Sequence, residues 1–221
     1  MEKNNSRKIL WKKIWNNRKI SFKKKNSDLR KLMILNGHLK IKLNSWKKYG
    51  NNIIDKLNFK KKDSIFEFGC GSGALLYLFK TKTNKLYGCD FSNQLITASK
   101  KIFPNLKIFH TEIEKFYSCV KYDHVISSSV LEYAESRKIK RIIITMINTF
   151  KKKLFIGEIL DKKFQEEFLK KNKKPENYYS FIEKKTFIKI CNNKKLKLKI
   201  LPSMLPGSNQ KKYRYCVLIS K

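Results

Sequence analysis

Ser64-Ile65-Phe66-Glu67-Phe68-Gly69-Cys70-Gly71-Ser72-Gly73-Ala74-Leu75-Leu76 is the stretch from which the rest of the chain is read. Ile65, Phe66 and Phe68 are apolar on both faces, as a buried strand of a parallel sheet requires. Gly69, Gly71 and Gly73 then allow a tight turn and let main chain approach a ligand closely. Ala74 to Phe79 are expected to form a helix whose free N–H groups point at an anionic group. Strand, glycine turn and helix together point to a nucleotide-type cofactor. Gly69-x-Gly71-x-x-Ala74 satisfies a dinucleotide fingerprint. The same residues satisfy acid-x-Gly-x-Gly-x-Gly, with Glu67 as the acid, and the acidic residues downstream decide between the two.

Lys85 to Asp90 reads as a second strand ending on a carboxylate, 23 residues past Glu67. That is close to the distance at which an acid meets a cofactor ribose. A carboxylate offers two acceptor oxygens to two vicinal hydroxyls, so the match is geometric as well as electrostatic. A helix over 92–102, capped by Ser92 or Asn93, leads to Pro104 and a third strand from Leu106 to Phe109. His110-Thr111-Glu112-Ile113 follows. A fourth strand, Tyr122 to Ser129, runs on into Val130-Leu131-Glu132-Tyr133. Apolar spacing then gives a helix over 136–151 and a fifth strand from Leu154 to Ile159, with Gly157-Glu158 inside it.

Upstream, Trp46, Tyr49, Ile53, Ile54 and Leu57 mark a helix over 43–57. Downstream come a charged helix after 161, the segment from Pro175 to Phe181, and a helix near 183–193. Lys195 to Leu201 alternate as a strand with one wet face, and Tyr213 to Ser220 form the last strand. Strands alternating with helices at this spacing imply right-handed crossovers and a parallel sheet. The fold expected is α/β, a doubly wound, mostly parallel seven-stranded sheet closed by an antiparallel strand pair. A chain of 221 residues gives one domain over 43–221, with 1–42 as a basic, partly helical extension. Within it Ile9, Leu10, Trp11, Ile14 and Trp15 have helical spacing. Such a helix packs on the main domain, or serves as a lid or a foot on an anionic membrane surface.

The formal net charge is +35. Residues 1–63 carry 20 basic and 4 acidic side chains, and residues 64–221 carry 32 and 13, so the excess is spread along the chain. A composition bias towards lysine accounts for that; attraction to RNA or an anionic membrane is the functional alternative. Five scattered cysteines show no metal-ligand spacing, so no metal is expected. Reduced thiols, with neither a signal core nor an 18-residue apolar run, suggest a cytoplasmic protein without a transmembrane segment.

Four segments taken in order, Glu67 to Gly73, Asp90, Glu112 and 122–133, resemble the class I S-adenosylmethionine-dependent methyltransferases over roughly 43–221. The likeness is to small bacterial-type enzymes of the Rossmann-like methyltransferase fold. Gly88-Cys89-Asp90-Phe91-Ser92 and Tyr178-Tyr179 stand where these carry similar strings. The resemblance implies S-adenosylmethionine as cofactor, held by Glu67, Phe68, Gly69, Cys70, Gly71, Gly73, Asp90, Phe91, Glu112, Ile113 and Ser128. Asp90 would take the ribose and Glu112 the adenine amine. In that likeness a His often precedes the Tyr after the fourth strand; here Glu132 precedes Tyr133, so no catalytic His is carried over.

The acids Glu67, Asp90, Glu112, Glu132 and Glu158 fall at expected strand C-termini, where ligands of open sheets bind. Tyr133, Glu132, Glu158 and Tyr178 are the candidates to border the acceptor. No Asp/Asn-Pro-Pro-Tyr and no Pro-Cys or Thr-Cys follows the fourth strand, which disfavours methylation of adenine or of a glutamine amide and covalent C5-pyrimidine chemistry. A small-molecule or glycan acceptor methylated on O or N leads. An RNA methyltransferase and a non-catalytic nucleic-acid-binding protein with a relic cofactor fold are the rivals.

Overall fold

Side chains alternate along each central strand, and this places two layers on one sheet. The computed structural model describes residues 10–17, 25–175 and 178–221. Its strands are β1 (Ile65–Phe68), β2 (Leu86–Asp90), β3 (Lys107–His110), β4 (Tyr122–Ser128), β5 (Phe150–Leu160), β6 (Lys197–Pro202) and β7 (Arg214–Ser220). They lie in the order β3-β2-β1-β4-β5-β7-β6. β1 to β5 run parallel, and β7 and β6 close the sheet antiparallel. This is the doubly wound architecture expected. The strand order reverses between β1 and β4, which opens a crevice beyond their carboxyl ends.

Ile65, Ile126, Phe155 and Cys216 face one layer, whereas Phe66, Val125, Leu154, Ile156 and Val217 face the other. The first layer holds α2 (Asp28–Leu35), α3 (Leu43–Leu57) and α4 (Asn93–Ile102). The second holds α5 (Ile139–Thr149) and α7 (Lys184–Asn193). α6 (Gln165–Asn172) packs Phe168 and Leu169 into a small separate cluster with Leu160 and Tyr213. A further helix, α1, covers 10–16 with Trp11 buried, while Ile9 lies outside the described residues.

α2 lies in the segment read as an extension, yet Leu29, Leu32, Met33 and Leu35 are all buried in the first layer. Ser27 caps it by accepting from Arg30 N–H. The helix expected over 74–79 is corrected. The glycine turn passes through turns into one short 3-10 stretch, Leu76–Phe79. Trp46 Nε1 donates to the Ala74 carbonyl at 3.1 Å, and Leu78 N–H turns instead to Leu75. The acceptor an α-helix needs is taken by α3, so the coil tightens.

At the amino end of the sheet, His124 is 1% exposed and its Nε2 lies 3.0 Å from Asp63 Oδ2. Its Nδ1 has no partner among the described residues. Burial depresses the His124 pKa below the ordinary 6.5, against the opposing pull of Asp63. The unfolded chain therefore takes up this proton first, and stability falls as pH drops below about 6.5. Burial raises Asp123, but Ser64 and Lys152 outweigh it and bring the carboxyl down to about 2. Its share of stability is lost only below the unfolded value near 3.8. Urea midpoints should thus fall between pH 7 and pH 5, and His124→Gln should flatten that fall; an unchanged slope would remove His124 as its source.

Candidate active site

A cleft open to solvent at its mouth lies at the carboxyl edge where the strand order reverses. Its floor is the turn after β1. Gly69 has φ +68°, and a Cβ there would come within 2.6 Å of Val130. Gly71 has φ +55°, and a Cβ there would meet Asn36 Oδ1 at 2.4 Å. Both positions need the left-handed region and the missing side chain together. Asn36, just past α2, clasps this turn: its Oδ1 accepts from Ser72 N–H at 2.7 Å and its Nδ2 donates to Cys70 O at 3.2 Å.

Asp90 ends β2 at the side of the cleft. Its Oδ2 accepts from Gly71 N–H at 2.8 Å and its Oδ1 from Ser92 N–H at 2.8 Å. Burial pushes this carboxyl up, while the N–H groups of Ser92, Gly71 and Phe91 act in the opposite sense. Each oxygen keeps acceptor capacity beyond the bond it makes. Phe91 and Leu95 continue this wall, and Thr111 and Ile113 follow β3. Ser128, Ser129 and Val130 form the facing wall after β4. Ser128 Oγ is 2.8 Å from the buried Tyr49 hydroxyl, and Ser129 is held at φ +55°, uncommon for a residue with a Cβ.

Aromatic rings close the mouth. Trp15 and Tyr133 line the cleft with their rings 5.9 Å apart. Trp11 packs on Tyr133 at 4.5 Å, Tyr178 at 5.0 Å and Tyr179 at 5.6 Å. Lys12 reaches Glu112 at 2.5 Å, and Ser92 Oγ donates to Trp15 O at 3.3 Å. α1 is thus laid across the opening by side chains from four different loops. His38, packed on Trp46 with ring centroids 4.4 Å apart, is the imidazole on the cleft wall.

Of the residues expected from the sequence, Gly69, Gly71, Asp90, Phe91, Ile113, Ser128 and Tyr133 meet at this cleft. Phe68 and Cys70 instead put their side chains into the two cores, and Gly73 packs against Leu106. Glu67 is 4% exposed beneath the turn, with Oε2 unpartnered among the described residues. Burial, then Asp90, push its carboxyl well above the usual range. Glu112 lies in a neighbouring hollow beside Lys12.

The acids expected at the acceptor are placed differently. Glu132, buried, pairs with Nη2 of the largely buried Arg214 at 2.7 Å. Glu158 accepts from Ser203 Oγ at 2.7 Å and from the N–H groups of Met204 and Leu205 at 3.0 and 3.2 Å. Both fasten loops and neither lines the cleft; a rim carboxylate turns towards whichever donor lies nearest. Tyr178 likewise sits over Trp11, outside the cleft wall. Sequence reading had Trp15 only within the helix read as a lid or packing element, and it passed over Asn36 and His38. The signal for the last two was present in Ser27 followed by apolar residues at 29, 32, 33 and 35, a capped helix aimed at the glycine turn.

Sheet order and the crevice beyond β1 and β4 are those of the Rossmann-like methyltransferase fold. Residues 66–151 match the family model described as a methyltransferase domain. That match covers residues 66–151 alone, and the fold of the whole chain is the one seen in S-adenosylmethionine-dependent methyltransferases. The chain is 34% identical over 92 residues to ribosomal RNA small subunit methyltransferase A of Ureaplasma parvum, 42% of this chain and 31% of that one. The chain therefore spans about a third of the length of the curated relatives it matches.

Among solved structures it is similar to magnesium protoporphyrin IX methyltransferase of Synechocystis PCC 6803 with bound S-adenosylmethionine. There the TM-score is 0.65 at 14% identity, over 97% of each chain. It is also similar to the plantazolicin methyltransferase BpumL in complex with a pentazolic substrate analogue and S-adenosylhomocysteine. In that case the TM-score is 0.64 at 17% identity, over 100% of this chain and 99% of that one. At these identities the likeness is one of fold. Among the described residues no helix is long and apolar enough to cross a membrane.

Proposed function

We propose that the chain binds S-adenosylmethionine in this cleft and transfers its methyl group to an oxygen or nitrogen of a small-molecule acceptor. The observation that carries the reading is Asp90, whose carboxylate is aimed by Gly71 and Ser92 while each oxygen keeps acceptor capacity for a vicinal diol. The glycines leave room for the adenosyl group to lie against the main chain, whose N–H groups from Gly69 to Gly73 are already bonded within the protein, and Ile113 gives an apolar face for the base. The bound cofactor supplies an electrophilic methyl on a sulfonium. The chain's own residues supply alignment and exclusion of water, which in well-aligned cases is worth about 7–11 kcal/mol.

Trp15 and Tyr133 border the space left for the acceptor, which suits a compact, partly apolar molecule. His38 puts an imidazole on the wall, and we assign to it the proton of the attacking atom. His38→Ala is expected to lower kcat about 10²-fold, with S-adenosylmethionine affinity unchanged by calorimetry. The figure sits at the low end for acid–base catalysis because the donor is intrinsically reactive. Unchanged turnover would assign the proton to solvent.

RNA as acceptor is the second reading, favoured by the 34% identity over 92 residues to a ribosomal RNA methyltransferase. Labelled S-adenosylmethionine offered with extracted metabolites, glycans and RNA separates the two by which pool takes up label. Label in none of them, with no calorimetric binding, would leave a non-catalytic protein.

A further inference from the structure

The composition bias accounts for how many lysines the chain has, but not for where its carboxylates are. At the edge of the sheet opposite the cleft, all seven strands carry a lysine within three residues of their ends. These are Lys107 in β3, Lys85 before β2, Lys62 before β1, Lys121 before β4, Lys151 in β5, Lys221 after β7 and Lys197 in β6. All of them are exposed. Among the described residues the carboxylates near this edge are Asp55, Asp63 and Asp123, and Lys152 already pairs with the last two. Asp90, Glu112, Glu132, Glu158 and Asp161 lie at the other edge. Carboxylates are thus few at the amino edge and gathered at the other.

We propose that this lysine edge docks the phosphate backbone of a nucleic acid, as an anchoring surface separate from the cleft. The proposal stands whether or not the methyl acceptor is RNA. Strands spaced about 4.8 Å apart make the row about 29 Å long. Over that length a duplex presents one phosphate charge per roughly 1.7 Å of axis. Lysine ammoniums are point charges without the planar fork that reads bases, so binding is salt-dependent and indifferent to sequence. A flat membrane fits less well, because strand directions rotate by about 20–25° at each step and carry the row out of any plane. Tyr117, 85% exposed, and Val120, 61% exposed, are isolated apolar side chains in the loop leading to β4, too few to anchor in lipid.

The test compares Lys62→Glu/Lys121→Glu/Lys151→Glu, from the neighbouring strands β1, β4 and β5, with the charge-matched Lys162→Glu/Lys163→Glu/Lys170→Glu near the carboxyl edge. Probes are a 20-base-pair duplex RNA, the same DNA duplex, and vesicles containing phosphatidylserine, each titrated over salt by fluorescence anisotropy or sedimentation. The edge variant should lose at least tenfold in duplex affinity at about 0.1 M salt. Its log–log salt slope should become shallower by about 0.9 for each contact removed. The control variant should lose less than threefold. S-adenosylmethionine binding should be the same in both, so failure of the cleft reading shows separately. If the reversal variant does not fold, lysine-to-glutamine changes at the same sites replace it. Equal losses in the two variants would mean bulk charge and no docking edge. Vesicle binding that exceeds duplex binding and is lost in the edge variant would give the surface to a membrane.

Discussion

Asp90→Ala is expected to weaken S-adenosylmethionine binding by 10² or more, and to lower the urea midpoint as well, since the buried N–H groups of Gly71 and Ser92 lose their acceptor. Two hydrogen bonds from ribose hydroxyls to a carboxylate are lost together. Bonds to a charged group are worth about 1.5–3 kcal/mol each. The carboxylate also holds Gly71 N–H and Ser92 N–H, so its removal frees the turn that should cradle the cofactor. Asp90→Asn should be nearly as damaging. One carboxylate oxygen becomes an NH₂ group, which must then face either a backbone N–H or a ligand hydroxyl without an acceptor. Calorimetry on the two variants decides: wild-type affinity in Asp90→Ala would mean that no diol lies on this residue. Because burial raises the Asp90 pKa, affinity should also decline on acidification at a higher pH than an ordinary aspartate would give.

What could be read beforehand depended on whether a residue's role is set locally. β1 is legible because Ile65, Phe66 and Phe68 are needed on both faces of a covered strand. α3 is legible because Trp46, Tyr49, Gly50, Ile53, Ile54 and Leu57 fall on one stripe. The helix expected after the glycine turn failed for a non-local reason, since Trp46 from α3 takes the Ala74 carbonyl. α2 was hidden by its basic surroundings, although its four buried residues recur at helical spacing. His38 and Asn36 were lost with it. The rim acids were located correctly along the chain but not in direction. Position at a strand end does not say which way a carboxylate turns, and the deciding partners of Glu132 and Glu158 lie 82 and 45–47 residues further on.

Arg214→Met should destabilise the fold by about 3–5 kcal/mol, the usual cost of stranding one member of a buried ion pair. Arg214 is nearly surrounded by acceptors. Its Nη2 meets Glu132 Oε2 at 2.7 Å, its Nη1 donates to Glu158 O at 2.6 Å, and Nε and Nη2 share Gln210 Oε1. Burial works against its charge, and Glu132 more than restores it. The single change leaves Glu132, whose side chain is 3% exposed, as an uncompensated charge beneath the cleft mouth. Glu132→Leu combined with Arg214→Met should recover most of the loss, since replacing both charges with apolar groups is often neutral or better. A double-mutant cycle in urea measures this. It also tests Glu132 against its other reading as a proton acceptor. If Glu132 served the acceptor directly, Glu132→Gln would leave stability intact and abolish turnover. If it serves Arg214, Glu132→Gln lowers stability first, and turnover falls only as far as Tyr133, the next residue and a wall of the cleft, is displaced.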